Sequence, residues 1–458
     1  MSEAWRSYLE THRDRFLNEF LELLRIPSVS TEPSLAGEVR RAAEWTADRL
    51  RQAGIENVQV MDTQCHPVVY GDWLHAGADK PTLLFYGHFD VQPADPLELW
   101  TSPPFDPRVE DGCIFARGAS DMKGSLLLPA IACEALLKTE GKLPVNVKFL
   151  YEGEEEIGSP SLTRFIQENR DRLACDMVVC ADGGVGSEDD PVVNVGRRGL
   201  TALEVTVRSA NTDLHSGGAG GMVHNALHAL VQILASMRDE EGRILVEGFY
   251  DDVRPLTEEE RAEIAKAPFD ADAYKAAIGI KDFFGEPEYT PQERNVARPT
   301  LEVNGLWGGY QGAGTKTVIP CEAHAKITCR LVPDQDPERV AKCVIDHIHK
   351  VAPRQVEVSI ETFPGDADPY LLPADHPGLQ ALEKAVAAVS KKWPARVRGG
   401  GTVPITGMMK RLLGVDTITL GASGGMERAH APNEFVRIRN FERIQYAYCM
   451  LLQELGAR

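Results

Sequence analysis

Short apolar runs alternating with helical patterns, from about residue 10 to 200, constrain this chain most. Candidate strands fall at 58–61, 82–88, 145–152 and 177–181, and 126–138 reads as a helix between two of them. Strands alternating with helices specify an α/β layer architecture. From about Gly199 the texture changes. TALEVTVRS alternates with period two, as a half-exposed strand does. The glycine loop GGAGG precedes a helix near 223–237, and AHAKITCRLV and VEVSIETF flank the helical PERVAKCVIDHIHKV. Residues 250–300 are polar and charged, a poor core. Beyond His376 the first texture returns: a helix over 378–391, the loop GGGT, a strand near 417–420 and a final helix over 441–455. The expected fold is a mixed-sheet α/β domain, 1–196 and 375–458, interrupted by an inserted α+β sandwich over 197–374.

Composition narrows the classes of function. A length of 458 residues suggests two or three domains. With 68 Asp+Glu against 49 Lys+Arg, the net charge is −19, which argues against nucleic acid as a partner. A hydrophobic fraction of 43% provides enough apolar surface for large cores and argues against disorder. MSEAWRSYLETHRDRF is too polar for a signal peptide and reads as an amphipathic helix. The long stretch without Asp, Glu, Lys or Arg, 214–237, holds four glycines and three histidines, so it reads as a loop and buried helix rather than a membrane span. Nine cysteines without a CxxC pair read as reduced thiols, and the expected compartment is the cytoplasm.

Four segments carry candidate chemistry, each near the C-terminal end of an apolar run, where open α/β sheets place their sites. In LLFYGHFDVQP, His88 and Asp90 are two apart on an extended segment and point the same way. Imidazole is a common metal ligand, and a neighbouring carboxylate can fix its tautomer. Asp121 in FARGASDMKG either reaches into a cleft or caps the following helix. FLYEGEEEIGS sets Glu152, Glu154, Glu155 and Glu156 directly after a buried strand, where divalent cations relieve like-charge repulsion. Adjacent Glu155 and Glu156 offer two roles, one on a metal and one handling protons. Asp182 in VVCADGG and His430 in GASGGMERAHAPNEF complete the set. Two His, two Asp and one Glu suit Zn²⁺, Mn²⁺ or Co²⁺. A spare Glu beside two ions about 3.5–4 Å apart is the equipment of a two-metal hydrolase.

In order along the chain, YGHFDVQP, RGASDMKG, EGEEEIGS, Asp182 and His430 resemble the metal motifs of the carnosinase–aminoacylase family of di-metal peptidases. TVIP, RLVP and HAPNE resemble its cytosolic non-specific dipeptidase branch. The resemblance implies a zinc-exopeptidase catalytic domain with an inserted lid and dimerisation domain. It implies one metal on His88, Asp121 and Asp182 and another on Asp121, Glu156 and His430. Asp121 is then the bridge, Glu155 the general base and Asp90 the group that orients His88. A cis peptide is implied after Asp121. In TDLHSG, His215 is implied to reach the active site of a partner subunit and polarise the scissile carbonyl, which requires a homodimer. Thr317 matches a substrate position that also acts across the interface. Arg330 and Thr402 match positions that bind a substrate carboxylate. The expected activity is dipeptide hydrolysis, with N-acyl-amino-acid hydrolysis as the alternative. Glu154 is a candidate acceptor for a substrate ammonium.

Two motifs point elsewhere. GASGG matches the nucleophile elbow G-x-S-x-G around Ser423, but that fold needs an acid and then a His downstream, and His430 is only seven residues away. GYQGAGTKT resembles a phosphate loop but carries Thr315 where Lys is needed.

Overall fold

Apolar runs short enough for strands and bounded by polar turns build the first sheet of this computed structural model, which describes residues 4–267, 269–363, 365–424 and 427–458. The sheet has six strands in the order Glu56–Met61, Val68–Trp73, Asn146–Glu152, Thr82–His88, Met177–Cys180 and Thr417–Thr419. The first three pair antiparallel and the last four pair parallel, so the sheet is mixed. Asn146–Glu152 is buried throughout and Thr82–His88 nearly so, as expected of parallel strands covered on both faces. The register sets His88 opposite Glu152 and Tyr86 opposite Cys180. Three strands therefore end at one edge.

The helix Lys123–Glu140 is apolar on all sides and buried from Lys123 to Leu136. It packs on Thr82–His88 and on the helices Ala4–Thr11 and Ile438–Gly456. Its buried Lys123 ammonium donates to the carbonyls of Leu23 and Ile26, at 3.2 and 2.6 Å. These lie at and just past the C-terminus of the helix Arg13–Leu24, where carbonyls lack helical partners.

The chain folds as two compact units: Met1–Val195 with Leu372–Val397 and Met408–Arg458, and Gly196–Leu371 with Arg398–Gly407. The sequence reading kept 398–407 in the discontinuous domain. Here that segment joins the second unit, where Arg398 pairs with Glu260 and Thr402 bonds to Arg330. The second unit is a four-stranded antiparallel sheet, ordered Thr300–Gly308, Glu322–Leu331, Gly199–Arg208 and Glu357–Thr362. The helices Ala226–Ala235 and Pro337–Val351 cover it. Gly199–Arg208 alternates in burial along its length, as its period-two pattern predicts. In the uncharged stretch, Asn225 caps Ala226–Ala235 by accepting from the Leu227 N–H at 2.9 Å. Among the described residues no helix is long and apolar enough to cross a membrane.

Within these two sheets, two strands have no counterpart in the sequence reading. Val68–Trp73 is buried but carries Gly71 and Asp72, whose carboxylate accepts from Tyr70 and Asn57 at 2.7 and 2.8 Å. Thr300–Gly308 is an edge strand with a bulge and little burial, so it lacks an apolar signature.

Gly124 lies in the buried helix where a Cβ would meet the Phe20 ring at 2.6 Å. Alanine there gains about 1 kcal/mol of helix propensity. The ring cannot yield freely: Phe20 is fully buried and stacked on Phe441. Overpacking costs about 1–3 kcal/mol, so Gly124→Ala is expected to be net destabilising. A urea midpoint below that of the parent protein is the expected measurement; an equal or higher midpoint shows that the ring gives way.

Candidate metal centre

The strand ends deliver side chains to one place in the first unit. His88 closes Thr82–His88 and, like Asp90, has no solvent exposure. The turn Glu155–Ile157 follows Asn146–Glu152, and Asp182 follows Met177–Cys180. Asp121 precedes the buried helix. It does not cap it, because the N-cap position belongs to Met122. The Asp121–Met122 peptide is cis. His430 adopts φ 62° in the loop before the strand Phe435–Arg437.

Two groups of metal-ligand type result: His88, Asp121 and Asp182, and Asp121, Glu156 and His430, each with its donor atoms within 4.8 Å of one another. Asp121 belongs to both. Its Oδ1 lies 3.3 Å from His88 Nε2, and its Oδ2 lies 3.0 Å from His430 Nε2. Each carboxylate oxygen thus faces a different imidazole. His430 Nε2 is also 3.3 Å from Glu156 Oε2. Glu155 stands beside these groups, its Oε2 3.9 Å from His88 Nε2.

Asp90 organises this edge. Its carbonyl and Oδ1 lie 3.1 and 3.4 Å from His88 Nδ1, which places the neutral ring's proton on Nδ1 and leaves Nε2, turned toward Asp121, as the atom that gains or loses a proton. The same carboxylate accepts the backbone N–H groups of Glu155 and Glu156, at 3.3 and 3.1 Å. Gln92 donates to Glu156 Oε2 at 2.8 Å.

Crowded charge sets the electrostatics. Burial alone disfavours a charged His88, but Asp121, Asp90 and Glu155 outweigh it and hold its pKa well above the usual imidazole value. Contacts with Asp121 and Glu156 raise His430 to about 10. Burial, then the charges of Asp182, Glu156 and Asp121, push Glu155 up to about 8 against the pull of His88. Asp121 is lowered: burial opposes ionisation, and the two imidazoles overcome it. His88 Nε2 and Glu156 Oε1 are buried without a hydrogen-bond partner among the described residues. An unmet buried polar atom costs about 1–3 kcal/mol. Both atoms sit in the cluster, and imidazole with carboxylate is a donor set for a divalent transition metal, so the residues fit such ions.

The remaining expected residues lie in the second unit and form two pairs. The short strand Leu214–His215 pairs antiparallel with Val318–Ile319, setting His215 opposite Val318 and next to Thr317, whose carbonyl accepts the Ser216 N–H at 3.0 Å. His215 Nδ1 accepts the Gly217 N–H at 2.9 Å, so the neutral ring carries its proton on exposed Nε2. Arg330 donates to the Thr402 hydroxyl at 2.6 Å, and that hydroxyl donates to the Gly199 carbonyl at 3.2 Å.

Other expectations are corrected. Glu154 is no ammonium acceptor. It is buried, and its oxygens accept from Thr63, His66 and Ser161 at 2.6, 2.7 and 2.9 Å. Ser423 is not on a nucleophile elbow: it lies in a loop, its Oγ accepts from Ser120 at 3.3 Å, and the next helix among the described residues starts at Ile438. Gly425 of that motif lies outside the described residues. The phosphate-loop lookalike joins two strands and opens no helix. Sequence reasoning passed over Glu434, a buried carboxylate that accepts backbone N–H groups of the Asp121 loop. Its only signal is its place in HAPNE, four residues after His430.

This fold and cluster define a metallopeptidase class. Residues 84–454 match the profile of Peptidase family M20/M25/M40, and the chain belongs to that family. The human Beta-Ala-His dipeptidase is 31% identical over 449 residues, covering 95% of this chain and 89% of the human protein. The Cys-Gly metallodipeptidase dug1 of Schizosaccharomyces pombe is 30% identical over 466 residues, covering 98% and 97%. Both relatives are dipeptidases, the branch to which TVIP, RLVP and HAPNE pointed. The solved structure of an M20 family metallo-carboxypeptidase from Sulfolobus solfataricus matches with a TM-score of 0.84 at 34% identity, covering 97% of this chain and 99% of that one.

On the protein's own charges His430 keeps a proton up to about pH 10. A cation taking its Nε2 displaces that proton, so uptake at pH 7 releases protons and affinity rises with pH toward about 10. Titration calorimetry in buffers of different ionisation enthalpy should give buffer-dependent heats; identical heats contradict the assignment.

Proposed function

We propose that this protein is a metal-dependent dipeptidase that holds two divalent cations, one on His88, Asp121 and Asp182 and the other on Asp121, Glu156 and His430. The observation that carries this reading is the placing of Asp121, with one oxygen toward each imidazole. The donors suit Zn²⁺ or Mn²⁺, with Co²⁺ as a substitute in vitro. When bound, such a pair supplies Lewis-acid polarisation and lowers the pKa of water.

The chain's own residues do the rest. Glu155 takes the proton of the attacking water and passes it to the leaving amine. Its position beside both ligand groups, but in neither, supports that role. Asp90 orients His88. His215 donates from Nε2 to the developing oxyanion, a role supported by the hydrogen bond that commits its Nδ1. Arg330, with Thr402 beside it, clamps the substrate carboxylate, and Thr317 lines the substrate site. His215 and Thr317 act in the active site of a partner subunit, so the working form is a homodimer. The second unit serves as lid and dimerisation domain. The nine free thiols support a reducing, cytoplasmic setting.

The dipeptidase names of the curated relatives favour dipeptides over N-acyl amino acids. The test is a panel of dipeptides, β-alanyl dipeptides, tripeptides and N-acyl amino acids on metal-stripped protein reloaded with Zn²⁺ or Mn²⁺. Dipeptides should turn over fastest; a preference for N-acyl amino acids overturns the reading. Glu155→Gln should keep two ions and lose about 10²–10⁴-fold in kcat. Near-normal kcat removes Glu155 as the base. His215→Ala should lose activity with its metals in place, and mixing it with Glu155→Gln should restore part of the activity. Verified subunit exchange without restoration argues against action across the dimer.

A further inference from the structure

Glu434 has no solvent exposure, and a carboxylate buried this deeply needs a full set of donors. Its Oε1 accepts the backbone N–H groups of Ser120 and Asp121 at 2.8 and 3.0 Å. Its Oε2 accepts the Gly118 N–H at 3.0 Å and Arg117 Nη1 at 2.7 Å. Three of the four donors are the backbone of the loop that carries Asp121. Fixing those N–H vectors fixes the backbone torsions of the loop, and with them the direction of the Asp121 side chain.

The other end of the clamp is equally held. The Ala116 N–H donates to the Glu434 carbonyl at 3.1 Å, and Phe435–Arg437 pairs with Cys113–Phe115 in the register Phe435 to Phe115. The Phe435 N–H donates to the Glu427 carbonyl at 3.0 Å, which closes the loop bearing His430. Two loops about three hundred residues apart in sequence are therefore joined through one carboxylate.

We infer that Glu434 is a positioning residue: it locks the Asp121 loop to the His430 loop so that Asp121 presents one oxygen to each ligand group. The inference rests on the two-cation reading above. Ligand constellations tolerate misplacement of only about 0.5 Å, and neither close substitute supplies this clamp. Glutamine offers one accepting oxygen and turns an NH₂ against the donors on its other side. Aspartate falls one methylene short.

The test titrates metal-stripped parent protein, Glu434→Gln and Glu434→Asp with Mn²⁺ against a competing chelator, and records thermal unfolding of each metal-free protein alongside. Parent protein should take up two ions. Glu434→Gln should bind about 10–100-fold more weakly while keeping a similar metal-free melting midpoint, with Glu434→Asp in between. In steady state kcat should fall more than KM changes. A purely structural role lowers the midpoint and leaves the affinity of the folded protein untouched. Parent-like affinity in folded Glu434→Gln overturns the inference. If Glu434→Gln does not fold, parent-like affinity in Glu434→Asp overturns it; failure of both to fold assigns Glu434 a structural role only. Uptake of fewer than two ions by the parent protein overturns the two-cation reading itself, and this inference with it.

Discussion

Carboxylate crowding at one sheet edge is the constraint on which the rest of the first unit depends. Asp90, Asp121, Glu155, Glu156 and Asp182 converge on two imidazoles. Two unit charges 4 Å apart repel by about 4 kcal/mol at an effective dielectric of 20. Two or three such pairs rival the roughly 5–15 kcal/mol net stability of a domain. On its own charges the protein relieves the strain with protons, held on both histidines and on Glu155. Divalent cations do the same with two charges per ion. On the proposed two-cation reading, the site exchanges protons for metal.

Holding such a cluster takes rigid supports. Buried parallel strands end in register, so His88, Glu152 and the approach to Asp182 reach one edge. Asp90 and Glu434 then act as anchors, each carboxylate gathering backbone N–H groups of a loop that bears a reactive side chain. Of the acidic residues around the centre, several work on the backbone while others face the cleft. Glu154 belongs to the first kind, although sequence alone offered it to a substrate.

That difference marks where sequence becomes hard to read. Apolar runs ending in His, Asp or Glu were legible, because burial on both faces leaves a continuous signature and the strand end locates the site. The change to period-two alternation at Gly199 falls close to where the second unit begins, at Gly196. Val68–Trp73 was not, since a glycine and a hydrogen-bonded aspartate break its apolar run. Glu434 was not, since its partners are backbone groups, which carry no residue-type signal, in a remote segment. Met122 at the N-cap withdrew the simplest structural role for Asp121, which residue type alone favoured.

The order of strands in the first sheet has a consequence during synthesis. Met177–Cys180 gains its outer neighbour only when Thr417–Thr419 is made. Translation at about 5–20 residues per second separates the two by roughly 10–50 s. For that interval a buried, apolar strand is an open sheet edge, the kind of surface on which nascent chains cross-associate. The second unit's sheet, by contrast, lies within the continuous span Gly196–Leu371 and can pair its strands inside that window. Yield of this protein at high expression should therefore follow the protection of that edge by chaperones more than the stability of the finished fold.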